Sequence, residues 1–113
     1  MIRLRQRLRH ALGEFFIERM GGNGDIEIKV VDDLILLRCK GALSPSEVNT
    51  ATLKVGRLLL QEASEGLCRE LKPDLNRFLY EITGLRLLDI GVVFFLERRE
   101  ITYLFFMSDT LKQ

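Results

Sequence analysis

Apolar residues return every three or four positions at the start of the chain. Leu4, Leu8, Ala11, Leu12, Phe15 and Phe16 share one side of a helix predicted over residues 2–19. Gly21-Gly22-Asn23-Gly24 is the expected stop, because residues that tolerate positive φ end helices. The period then changes to two. Ile26, Ile28 and Val30 alternate with Glu27, Lys29 and Val31, Asp32-Asp33 turns the chain, and Leu34 to Lys40 runs back. A two-residue loop sets Val31 opposite Leu34, Val30 opposite Ile35, Ile28 opposite Leu37 and Ile26 opposite Cys39. The same register places Glu27 against Arg38 and Asp25 against Lys40 on the other face, so pattern and charge agree.

Ser44-Pro45-Ser46-Glu47 opens the next helix. Ser44 caps, Pro45 takes the first helical position, and Glu47 returns to the cap as the third residue of a capping box. The helix is predicted from 45 toward 70. It carries one stripe of Val48, Ala51, Val55, Leu59 and Ala63 and another of Leu53, Leu60 and Leu67. A helix apolar on two sides is expected to pack on two sides. Ser64 or Gly66 is the expected break. Pro73 starts a third helix with Leu75, Phe78, Leu79 and Ile82 on one face, and Gly84 ends it. Leu85 to Leu96 and Ile101 to Met107 form a second hairpin with Leu96 opposite Ile101. A four-residue loop is preferred there, since a two-residue loop at Arg98-Arg99 sets Glu97 against Glu100.

These elements predict an α+β fold of order α-ββ-αα-ββ, a two-layer arrangement with a four-stranded antiparallel sheet from two β-hairpins and helices packed on it. The 113 residues are expected to form one domain, residues 1–113. With 47% apolar and 29% charged residues, the chain is too apolar for disorder. A formal net charge of +1 gives no bulk attraction to a polyanion. The charge is uneven, however: residues 1–20 hold five Arg and two Glu, residues 21–47 three basic and five acidic groups. No apolar core of a signal peptide follows the basic start, and the most apolar window, Ile90–Leu96, is far short of a membrane span. The expected location is cytoplasmic or peripheral to a membrane. In that reducing setting Cys39 and Cys68 read as buried thiols.

Candidate chemistry is sparse. His10 is the single histidine, with no nucleophile or acid at an informative spacing, and it reads as solvated helix surface. Gly22-Asn23-Gly24 follows a helix and precedes a strand, the reverse of a phosphate loop. Asp32-Asp33 reads as a turn. No catalytic, cofactor-binding or metal-ligating residue is assigned.

Two surfaces stand out instead. Arg3, Arg5, Arg7 and Arg9 lie opposite Leu4, Leu8 and Leu12, a pattern suited to an anionic membrane surface or a membrane-protein partner. Nucleic acid fits less well, for want of exposed stacking aromatics. The second surface comes from counting sheet faces. One face takes the helices; the other presents Val31, Leu34, Leu36, Val93, Phe95, Leu104 and Phe106. Seven such side chains form a patch at or beyond what a monomer normally exposes. The N-terminal helix or a second chain must cover them, and a twofold homodimer is the expected answer.

The ordered features resemble the MpsC-like domain family of bacteria over nearly the whole chain. They are the amphipathic first helix, the Gly-rich turn, the hairpin with an Asp pair, Gly41-x-Leu43-Ser44-Pro45-x-Glu47, Gly56 within a helix, and Ile82-Thr83-Gly84 before the last hairpin. The family usually has Thr at Ser44 and a Gly-Arg/Lys-Gly-Pro turn where this chain has Gly21-Gly22-Asn23-Gly24. The resemblance implies an accessory component of a sodium-translocating, membrane-potential-generating system. The expected function is therefore a non-catalytic interaction domain. The alternative is a small-ligand-binding regulatory domain with a pocket between helices and sheet.

Overall fold

The computed structural model describes residues 3–20 and 25–112. The expected stop at Gly21–Gly24 lies outside these residues. Helix α1 spans Leu4–Met20, strand β1 Ile26–Val31 and β2 Leu34–Cys39. Helix α2 spans Pro45–Ala51, α3 Lys54–Thr83, β3 Leu87–Phe95 and β4 Glu100–Met107. The four strands form one antiparallel sheet in the order β1-β2-β4-β3. The α+β class and the α-ββ-αα-ββ order are as the pattern predicts.

The first hairpin has the predicted register throughout, from Ile26 opposite Cys39 to Val31 opposite Leu34. Asp32 supplies the turn with φ 53°, a left-handed conformation that Asp tolerates better than most residues. The turn also holds the chain end: the Asp32 carbonyl accepts from Leu111 N–H and the Asp33 carbonyl from Met107 N–H, both at 2.8 Å.

Leu8, Leu12 and Phe16 of α1 and Cys68, Leu75 and Leu79 of α3 are buried against Ile28, Ile35, Leu37, Tyr103 and Phe105 of the sheet. Both long helices therefore cover the same sheet face. They are joined directly by an Arg19–Asp74 ion pair. At the β3 edge of the sheet, α3 reaches over the strand: Lys72 Nζ donates to the Leu88 carbonyl at 2.8 Å and Asn76 Oδ1 accepts from Leu87 N–H at 2.8 Å. Occupying edge groups in this way disfavours strand addition at that end of β3.

Four expectations are corrected. The second hairpin is displaced by two residues, with Phe94 rather than Leu96 opposite Ile101, although its loop does contain four residues, 96–99. The loop closes earlier because Leu96–Arg98 forms a helical turn ended by Arg99 at φ 55°. A shift of two keeps the pleat phase, so Ile90, Val92 and Phe94 stay on the inner face. A bulge between Leu87 and Asp89 changes that phase locally, burying Leu87 and turning Leu88 out to solvent.

The helical region divides at Thr52-Leu53, not at Ser64 or Gly66. The capping box at Ser44 forms as predicted, with Glu47 N–H on Ser44 Oγ at 3.1 Å and Ser44 N–H on Glu47 Oε1 at 2.9 Å. After two turns Thr52 Oγ1 donates to the Asn49 carbonyl and Leu53 is extended, at φ −91° and ψ 137°. Gly56 lets α3 restart against the end of α2. A Cβ there would lie 2.0 Å from the Thr50 carbonyl oxygen.

Pro73 lies inside α3 rather than at a start. Proline removes one helical hydrogen bond, at a cost of about 3 kcal/mol in a helix interior. Here Pro73 and Arg69 are both exposed, so water can reach the freed carbonyl. Cys68, Leu71, Leu75 and Leu79 meanwhile hold the helix to the core on both sides of the proline. The double stripe earlier in the helix is not packed on two sides within the chain. Val55, Leu58 and Leu59 are all exposed, Val55 at 69%.

Candidate functional site

The outer face of the sheet is laid out by the strand register. One row across the strands reads Val31, Leu34, Phe106 and Asp89; the next reads Lys29, Leu36, Leu104 and Gly91; the third reads Glu27, Arg38, Thr102 and Val93. Phe95 lies opposite Glu100 beyond them. All seven residues of the predicted apolar face are therefore here, in two lobes. Val31, Leu34, Leu36, Leu104 and Phe106 form the larger, and Val93 and Phe95 the smaller along β3. Gly91 lies between them. A Cβ there would come within 3.2 Å of Leu104 Cδ1, so the missing side chain makes room for the larger lobe.

Phe95 is 47% and Phe106 39% exposed. Helix α1 does not cover them. Its buried apolar residues, Leu8, Leu12 and Phe16, pack on the inner face, which removes the intrachain cover that the sequence left open.

Beside the apolar patch, opposite charges interleave across three strands. Arg38 on β2 donates from Nη1 to Glu27 Oε2 at 3.1 Å and from Nη2 to Glu100 Oε1 and Oε2 at 3.0 and 3.1 Å. Lys40 Nζ joins the row at 3.2 Å from Glu27 Oε2. The Lys40 hydrogen bond, with help from the Arg38 charge, holds the Glu27 carboxyl below its ordinary 4.5. Glu27–Arg38 was legible in the first hairpin. Glu100 was not, since its place depends on β4 pairing with β2.

The four N-terminal arginines divide between two places. All are exposed, Arg5, Arg7 and Arg9 on α1 and Arg3 just before it. Arg9 Nε makes a long hydrogen bond of 3.4 Å to the Ile26 carbonyl at the sheet edge. Arg3, Arg5 and Arg7 instead line a recess of about 960 Å3 between the start of α1, the end of α3 and the C-terminal tail. Lys112 and Asp109 complete its charged lining. Nothing in the sequence period places the tail there. His10 is exposed, 3.5 Å from Glu14 one turn on.

Cys39 and Cys68 are free and buried. Burial pushes the Cys39 thiol up to about 12. Burial, reinforced by the Glu65 charge, pushes Cys68 up to about 11. Tyr103 sits in the same core, its ring 4.9 Å from Phe16, and burial raises its hydroxyl as well. Cys68 lines a recess of about 370 Å3 with Glu65, Arg69, Lys72, Asp89 and Ile90. Thiolates are the reactive form of cysteine. A disulfide-exchange reagent should therefore label neither thiol in the folded protein at mildly alkaline pH, and both once denaturant is added. Because both values lie above the ordinary 9.0, the stability these thiols contribute is complete below about pH 9 and is lost as pH rises toward 11 and 12. Rapid native labelling at neutral pH would contradict this.

Among the described residues, no group of three or more His, Cys, Asp or Glu side chains could hold a metal ion, and no helix is long and apolar enough to cross a membrane. Among curated proteins and solved structures, nothing matches the chain. A family model described as Na+-translocating membrane potential-generating system (MpsC) matches residues 3–109, and the chain belongs to this MpsC family.

Proposed function

We propose that this chain is a non-catalytic accessory domain of the Na+-translocating, membrane-potential-generating system, working in the cytoplasm as a homodimer that docks on other components. The uncovered outer sheet face carries the reading. Its apolar side chains lie in register across four strands and are flanked by Glu27, Arg38, Lys40 and Glu100, whose mutual pairing leaves little charge to oppose contact. An apolar centre with a polar rim is the anatomy of a protein interface. A twofold axis through this face closes the assembly with one self-complementary patch. Unoxidised, buried thiols suit a reducing compartment. The exposed Val55, Leu58 and Leu59 of α3 offer a further apolar surface for another component.

Light scattering at high micromolar concentration should return twice the 13.1 kDa mass of the chain. Phe106→Glu and Phe95→Glu should each give folded monomers, because a buried unpaired carboxylate opposes association. A monomeric wild-type chain at that concentration would remove the dimer.

A further inference from the structure

The recess at the start of α1 has a lining that neither the fold nor the dimer explains. Arg3, Arg5, Arg7 and Lys112 bring four positive charges to it, against the single carboxylate of Asp109. Among the described residues, none of the four cations is ion-paired: the salt bridges of the structure lie elsewhere, at Arg19, Arg38, Lys40, Arg77 and His10. The two helix ends that meet here, the beginning of α1 and the end of α3, carry opposite partial charges and offset one another. The side chains therefore set the sign, which is positive by three charges. Leu4, Ile82, Leu85 and Leu111 give the same recess an apolar wall. A volume of about 960 Å3 lies at the upper end of the range for small-molecule sites.

We infer that this recess binds a phosphate group attached to an apolar body. A singly charged anion would leave most of the positive charge uncompensated, whereas a phosphate monoester carries close to two charges and three acceptor oxygens. Arginine forks match those oxygens in pairs, and lysine adds a point charge. The apolar wall takes the rest of the molecule. Two sources share this chemistry, a soluble phosphate monoester and the monoester headgroup of phosphatidic acid in a lipid surface. In the second case the recess would turn the start of α1 toward the membrane. The inference goes beyond the proposed docking function and does not depend on the dimer, since the recess and the outer sheet face use different residues.

The test compares exposed arginines of the recess, Arg5 and Arg7, with an exposed arginine outside it, Arg9. Arg5 lines the recess; Arg9 lies outside it and reaches the Ile26 carbonyl. The full chain, Arg5→Ser, Arg7→Ser and Arg9→Ser are titrated with phenyl phosphate by calorimetry. In parallel they are sedimented with phosphatidylcholine vesicles, with and without phosphatidic acid. Binding of either probe by the wild type should weaken roughly tenfold or more in Arg5→Ser and Arg7→Ser and change little in Arg9→Ser, as expected for the loss of a charge-assisted hydrogen bond. Binding to phenyl phosphate identifies a soluble ligand class; binding only to the phosphatidic acid vesicles identifies lipid. Equal weakening in all three variants would mean a diffuse basic surface and would overturn the site, as would no binding of either probe by the wild type. Thermal melts of the variants separate loss of binding from loss of fold.

Discussion

Gly56→Ala is expected to destabilise the protein, while Gly66→Ala in the same helix stabilises it. In an ordinary helix interior, alanine is better than glycine by about 1 kcal/mol, because glycine surrenders more backbone freedom on folding. Gly66 is such a position: an added Cβ would meet only Arg69 Nη2, at 3.7 Å, an ordinary contact. Its replacement should raise stability by roughly 0.5–1 kcal/mol. At Gly56 the same atom would sit 2.0 Å from the Thr50 carbonyl oxygen and 2.8 Å from Thr50 C and Cγ2. Two of these atoms are backbone, so no rotamer change relieves the clash. Either α2 moves off α3 or the Thr52-Leu53 joint reopens. Overpacking of this kind typically costs about 1–3 kcal/mol, and more where backbone must yield. Chemical denaturation of both variants against the wild type reads the opposite signs directly. A Gly56→Ala midpoint at or above that of the wild type would show that the two helices do not meet this closely.

Arg38→Met should lower stability by about 3 kcal/mol. The side chain of Glu100 is only 9% exposed, and among the described residues Arg38 is its ion-pair partner. Removing the guanidinium leaves a desolvated carboxylate with its charge uncompensated, the situation in which breaking an ion pair is most damaging. Glu27 is less affected, because Lys40 remains 3.2 Å away. The effect lies at the low end of that for a buried pair because Arg38 is itself 27% exposed and water reaches part of the site. Replacing both residues tests the cause. Arg38→Met combined with Glu100→Leu should recover much of the loss, since two packed apolar groups can substitute for a buried pair. If the double variant is as unstable as the sum of the single changes, the lost stability comes from packing by the arginine stem rather than from the stranded charge.

Local signals in the chain were reliable where their cause was local. The capping box at Ser44 depends on residues three apart, and it formed with both predicted hydrogen bonds. The first hairpin was readable because one register satisfied both the apolar alternation and the Glu27–Arg38 charge pair. Gly84 ended α3 with the left-handed φ, 74°, that its position after Thr83 suggested. The second hairpin was harder. Its apolar run is nearly continuous, so a shift of two residues leaves the buried face almost unchanged, and periodicity cannot choose between the two registers. The Leu96–Arg98 turn and the bulge at Leu88 made the choice.

What the sequence determined by itself is the kind and order of the elements and the identity of the two sheet faces, because period and charge are properties of neighbouring residues. The tertiary structure decided everything that depends on which distant elements meet. It extended α3 through Pro73, because burial of Cys68, Leu71, Leu75 and Leu79 outweighs one missing hydrogen bond. It placed both long helices on one face and left the other bare. It set Glu100 beside Arg38 through the pairing of β2 with β4, a strand order that neither hairpin specifies. It also gathered Arg3, Arg5 and Arg7 with Lys112, more than a hundred positions away, into one recess, since the Asp32 and Asp33 carbonyls tie the tail back across the fold. Contacts of that range depend on loop closure and packing among elements that carry no mark of one another in their own residues.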